Sequence, residues 1–310
     1  MLPDRAADNM QRADSVALDG EWQFREDPAD AGERERWFAT PLKARTITVP
    51  GAWQAAFEEL HTFQGAGWYQ KSFPLPAGAR GKHVYLLFES VKHTARVWFN
   101  GQFVGEHVGG RTPFRVEISH LIQPAGENLL TVRAFDPPFG VDFVEDTHAL
   151  VHSSGILGHV SVITTGRAYV SDLFIEPDLD RAQATAHLTI GVWGERVPAR
   201  ARVKLIVTSP SGDTIDTSER RVSLPASETT QVDMPVTITP LLTWDLEHPH
   251  LYMASVSLVG ERNEVYDQVS VTFGMRKIEV RGERACTSIT SRFSWSWAAR
   301  RRDAGQHRAG

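Results

Sequence analysis

Apolar and polar residues alternate with a period of two through most of the middle of this chain, and sustained stretches with a 3.6-residue period are missing. Phe114, Val116 and Ile118 alternate with Arg115 and Glu117, and Val203, Leu205 and Val207 alternate with Arg202, Lys204 and Ile206, the last itself apolar. Residues two apart on an extended chain share a face, so each segment supplies one face to a core. The pattern predicts an all-β protein. Inside "TARVWFNGQFVGEH" the Asn100-Gly101 pair sits between two strand-like runs. A type I′ turn needs positive φ at both central residues, which this pair tolerates, so a tight hairpin is predicted there.

Short helices are predicted only over 29–38 and 54–60, among connecting segments near the N-terminus. From Tyr169 a second series of strands begins, at 171–177, 184–192, 202–208, 231–238, 252–259 and 267–273, with the spacing of a sandwich. Turn signals at 209–213 and 260–263 separate several of them. Pro235 has no N–H to give to a ladder, which predicts an edge strand. A chain of 310 residues has room for two cores. Strand counting places the boundary near Gly166.

Charge narrows the choice of partner. The 33 basic and 38 acidic residues are interspersed, with a net charge of −5, so no surface is written for nucleic acid or for an anionic membrane. The single cysteine, Cys286, has no partner for an internal disulfide. The N-terminal "MLPDRAADNMQRADSV" is charged throughout, without the apolar run of a signal peptide or membrane span, and a cytoplasmic location is expected.

Several stretches together resemble the non-catalytic N-terminal half of family 2 glycoside hydrolases, the β-galactosidase, β-glucuronidase and β-mannosidase group. They are "LDGEWQF" at 18–24, "ITVPGAWQ" at 47–54, "GWYQKSF" at 67–73 and the run from Val84 to Ile122. "SSGILGHVSV" at 153–162, "HPHLY" at 248–252 and "FGMRKIEV" at 273–280 follow in the family's order. The resemblance implies a jelly-roll (galactose-binding-like) domain over 1–168 and an immunoglobulin-like β-sandwich over 169–275, with 276–310 a linker and an aberrant, disordered tail. Leu157 stands where the family usually has an aromatic, and Lys71 where Arg is commoner.

In that family a TIM barrel comes next and carries both catalytic glutamates. Retaining hydrolysis needs two carboxyl groups about 5 Å apart, and a barrel of roughly 250 residues does not fit after Phe273. A chain truncated before its catalytic centre, without catalytic residues and inactive alone, is therefore expected. The closing "RACTSITSRFSWSWAARRRDAGQHRAG" has no Lys, no Glu and no alternation, as when a GC-rich gene is read out of frame; a frameshift just after Glu283 is expected, and a genuine basic tail is the alternative. A stand-alone carbohydrate-binding module, or half of a split glycosidase completed by a separately encoded TIM barrel, are the competing functions.

The resemblance also implies a substrate contact. In β-galactosidases of the family, an acidic residue shortly before the Ser-Gly-Ile motif lies on a loop that reaches toward the barrel's pocket. Asp146 matches that position, with Glu145 beside it; a carboxylate accepts hydrogen bonds from vicinal hydroxyls of a β-glycoside, or holds a metal ion that does so. A solvated loop acid is the alternative. His148, His152 and His159 do not have the spacing of a metal finger, and no metal or cofactor is expected. Trp53, Trp68 and Trp98 offer faces to a pyranose, but all three fall in core motifs and are read as packing. Glu58 and Glu59 are neighbours that point in different directions, and His248 and His250 receive no chemical role.

Overall fold

The computed structural model describes residues 10–75, 78–123, 126–137, 153–194, 198–226, 229–280 and 286–288. The protein is all-β, built as two consecutive sandwiches of antiparallel strands, a jelly roll and an immunoglobulin-like sandwich. In the first, a six-stranded sheet runs in the order Arg45–Val49, Gly20–Asp27, Gly65–Phe73, Asn128–Asp136, Thr94–Phe99, Gln102–Val108. It faces a four-stranded sheet of Phe114–Glu117, His83–Phe88, Val160–Thr165 and Ser15–Ala17. Trp22, Phe24, Trp53, Tyr69, Phe88 and Phe99 fill the space between them. The predicted hairpin is present: Asn100 has φ 50° and Gly101 φ 78°, and Phe99 pairs with Gln102 across the turn.

The second sandwich packs the three strands Ala168–Asp178, Gln183–Val192 and Thr230–Thr237 against a five-stranded sheet. That sheet runs Gln11–Arg12, Val265–Phe273, Tyr252–Val259, Arg200–Thr208, Thr214–Ser223. Val203, Leu205 and Val207 point inward, while Ile206 is 40% exposed, as the alternation requires. Pro235 lies opposite Thr185 on the outermost strand of the three, where no neighbour asks for its N–H. The sequence pattern missed Thr214–Ser223 ("TIDTSERRVS"), because an edge strand with one buried apolar residue, Val222, reads as a polar loop.

The helix predicted over 29–38 does not form. Turns occupy 32–36, with Glu35 N–H donating to Ala31 O and Trp37 N–H to Gly32 O, and a 3₁₀ turn follows at Trp37–Ala39. Arg36 is left-handed (φ 58°), which breaks the helix. The Asp27 carboxylate accepts from Ala31 N at 2.8 Å, Gly32 N at 2.8 Å and Trp68 Nε1 at 3.0 Å. The segment is thereby pinned on the outer face of the six-stranded sheet, where Trp37 and Phe38 meet Trp68 and Trp98. Over 54–60 the expected helix is split into Trp53–Ala56 and a 3₁₀ turn at Glu58–Leu60.

Gln11–Arg12 belongs to the second sandwich although the strand after it, Ser15–Ala17, belongs to the first. At this seam Arg12 and Asp267 form an ion pair at 2.5 Å with side chains only 4% and 5% exposed, and Asp267 also accepts from Val170 N at 2.9 Å. His83 packs beside them against Tyr85, Tyr169 and Trp193, with ring centroids 5.4, 4.6 and 5.6 Å away. Beyond the second sandwich, the backbone of Ile278–Val280 pairs with that of Cys286–Ser288.

Candidate functional site

The loop end of the first sandwich frames the segment that carries the predicted carbohydrate contacts. Strand Asn128–Asp136 leads into that segment, and Gly155–Ile156, paired with Val91–Lys92, leads out of it. Glu145, Asp146, His148 and His152 lie outside the described residues.

A buried polar network ties the two flanks together. Ser154 Oγ donates to Asp136 Oδ2 at 2.6 Å, and Gln54 Nε2 donates to Ser154 Oγ at 3.1 Å. Ser154 N donates to Gln54 Oε1 at 2.9 Å. Ser154 is fully buried, Asp136 is 1% exposed and Gln54 6%, so each bond is made where water does not compete. Backbone bonds extend the frame: Trp53 N to Ser154 O at 3.1 Å, Gly51 N to Ile156 O at 2.9 Å and Leu157 N to Ser90 O at 2.9 Å. Ser90 Oγ donates to Gly110 O at 2.6 Å, and Gly109 N to His93 O at 3.1 Å, which brings a further loop to the same end.

Gly155 is required here on two counts. Its φ is +127°, and a Cβ would stand 2.4 Å from the Tyr69 hydroxyl and 3.1 Å from Gly51 O. Burial pushes the Tyr69 hydroxyl far up, so it stays protonated. The Ser-Gly-Ile motif thus works through its backbone and through the Ser154 hydroxyl. Sequence reasoning found the motif but not its partners Asp136 and Gln54, which are respectively 18 and 100 residues away from Ser154.

Elsewhere the packing readings hold. Trp53 and Trp68 are fully buried and Trp98 is 4% exposed; Trp68 stacks on Trp98 at 5.2 Å, and Trp53 lies 6.0 Å from Phe24. None offers a face to a sugar. Glu59 is engaged by Arg45, whose guanidinium also reaches Glu26 at 2.9 Å. His159 Nδ1 meets Asp19 Oδ2 at 2.5 Å in an exposed pair that raises the imidazole pKa. His248 stacks on His250 with centroids 6.2 Å apart. Lys71 donates to Asp19 O and Glu21 O at 3.2 and 3.1 Å, and its desolvation lowers the ammonium pKa. Among the described residues no group of three His, Cys, Asp or Glu is arranged to hold a metal ion.

A jelly roll with its loops gathered and braced at one end, followed by an immunoglobulin-like sandwich, is a defined two-domain module. Residues 16–166 match the model of the glycosyl hydrolases family 2 sugar binding domain, and residues 168–276 match a second model described as glycosyl hydrolases family 2. The chain belongs to that family. It is 29% identical over 228 residues to a β-galactosidase of Thermoanaerobacter pseudethanolicus, covering 71% of this chain and 30% of that protein. It is 26% identical over 289 residues to a β-glucuronidase of Paenibacillus borealis, covering 86% of this chain and 46% of that protein. The chain thus spans less than half the length of either relative. Its fold superposes on the crystal structure of a Bacteroides uniformis β-glucuronidase with a TM-score of 0.72 at 21% identity, covering 90% of this chain and 34% of that one. No helix among the described residues is long and apolar enough to cross a membrane.

Proposed function

We propose that this chain is the carbohydrate-contacting N-terminal portion of a β-galactosidase- or β-glucuronidase-like glycosidase, and that the two sandwiches do not hydrolyse glycosides without a catalytic barrel. The carrying observation is the buried Asp136–Ser154–Gln54 network, which braces both ends of the segment containing Glu145 and Asp146. A carboxylate that must meet a sugar hydroxyl needs its loop held within a fraction of an ångström, and buried, satisfied hydrogen bonds supply that hold. Asp146 is proposed to accept from substrate hydroxyls and Glu145 to support it. Hydrolysis itself requires two carboxyl groups about 5 Å apart flanking the glycosidic bond. Glu58 and Glu59, adjacent on an exposed 3₁₀ turn and with Glu59 held by Arg45, do not supply them.

The test is an assay of the purified chain with aryl β-galactosides, β-glucuronides and β-mannosides, alone and after mixing with a barrel polypeptide from a relative. Expected are no turnover alone and, in the mixture, turnover that falls at least tenfold with Asp146→Ala. Hydrolysis at enzyme rates by the chain alone overturns the reading. Saturable binding of a neutral oligosaccharide by the chain without any barrel favours a free-standing module instead.

A further inference from the structure

The second sandwich carries a basic cleft that lies apart from the braced loop end. Its floor is the outward face of Arg200–Thr208 and Thr214–Ser223, where Arg202 stands directly opposite Arg221 and Arg200 opposite Ser223. The cleft has a volume of about 600 Å³, within the range of small-molecule sites, and Glu261 and Asn263 form its wall. We propose that it binds an acidic saccharide, one that carries a carboxylate or sulfate beside free hydroxyls.

Three observations support this. Like charges directly opposite on neighbouring strands destabilise a sheet, and the Arg202–Arg221 pair is such a contact in a chain whose net charge is −5. Arg202 is compensated, donating to Glu219 Oε1 at 3.3 Å and to Asn263 Oδ1 at 2.5 Å. Among the described residues neither Arg200 nor Arg221 forms an ion pair with a carboxylate, and both line the cleft together with Arg202, against the single carboxylate of Glu261 in that lining. A planar guanidinium matches a carboxylate or sulfate through two parallel hydrogen bonds.

The wall, moreover, is preformed. Glu264 accepts from Arg262 N at 2.9 Å and from the Tyr266 hydroxyl at 2.7 Å, and Gly260 N donates to Glu264 O at 2.8 Å. These bonds hold Asn263 in the left-handed conformation (φ 65°), with its side chain on Arg202. Finally, Glu261, Asn263 and Ser223 add acceptors and donors suited to sugar hydroxyls beside Arg200 and Arg221. A bare inorganic anion would use only the arginines. The chemistry that satisfies both halves of the lining is an oxyanion on a hydroxylated ring.

The experiment is a calorimetric titration of the full chain with sodium glucuronate and with a sulfated disaccharide, against galactose and sodium sulfate as references. The expected result is an affinity for an acidic sugar at least tenfold above both references. That affinity should fall at least tenfold in Arg221→Gln and in Arg200→Gln and stay unchanged in Arg181→Gln, on a distant turn of the same sandwich. Equal affinity for galactose, equal affinity for sulfate, absence of binding, or indifference to both cleft substitutions overturns the proposal. Both residues are exposed, so the variants are expected to melt with the wild type, and two independent positions guard against one failing to fold. The readout is binding rather than turnover, so its failure leaves the proposed function of the loop end untouched.

Discussion

The two sandwiches bury their cores in different ways. In the second, strands such as Thr230–Thr237 alternate strictly between buried and exposed residues, one face to the core and one to water. The core is aliphatic, with Tyr252 and Phe273 its only buried aromatic members among the described residues. In the first, the strand Gly65–Phe73 is buried almost continuously, because residues 28–44 fold over the outer face of the six-stranded sheet. Its core is rich in tryptophan and phenylalanine, and among the described residues all the buried polar side chains except Ser209 belong to the first sandwich or to the seam. A sheet covered on one face needs only alternating side chains. One covered on both faces must also satisfy the polar backbone of the segment that covers it, and that task falls to Asp27 and Gln70, while Gln54 and Ser154 do the same for the loop end.

The largest expected effect lies at the seam, where the aliphatic sandwich departs from its own rule. Asp267→Ala leaves Arg12 buried without its carboxylate and is expected to cost about 3–5 kcal/mol in urea unfolding, whereas Arg12→Met with Asp267→Leu should recover most of that loss. If the single substitution is tolerated within 1 kcal/mol (roughly the worth of an exposed pair), the seam is not the polar exception that the comparison makes it.

Next comes His83. Burial holds its pKa down at about 4, from an ordinary 6.5. Between those values the unfolded chain binds a proton that the folded one does not. Stability is therefore expected to fall as pH drops from 6.5 to about 4, by up to ~3 kcal/mol, and to level off below. His159 and His187 are shifted upward by their carboxylate partners and act in the opposite sense, stabilising the fold at low pH and losing that contribution as pH rises through their folded pKa values. The difference between wild type and His83→Phe isolates the first effect; parallel pH profiles for the two proteins would refute it.

The smallest of the three tests the polar bracing of the first sandwich. Ser154→Ala removes one partner each from Asp136 and Gln54 and is expected to cost ~1–3 kcal/mol. Amide exchange should quicken at 54 and 154, while the second sandwich keeps its protection. An equal loss of protection in both sandwiches would mean that they unfold as one unit and would erase the distinction drawn between them.

The all-β class, the Asn100-Gly101 hairpin, the edge position of Pro235 and most strands of the second sandwich were determined by the sequence alone. Each depends on a short-range rule: period-two burial, positive φ, or a missing N–H. The family was legible too, through ordered motifs such as "SSGILGHVSV". What only the tertiary structure decided rests on partners far apart in the chain. Ser154 meets Gln54, Arg12 meets Asp267, and Asp27 pins residues 31–32, in the segment where a helix was expected, to Trp68. Thr214–Ser223 becomes a strand only because Arg200–Thr208 offers it an edge, and that pairing sets Arg202 against Arg221. Local patterns specify which face of a strand is apolar; which distant polar group completes a buried hydrogen bond depends on the folded positions of both.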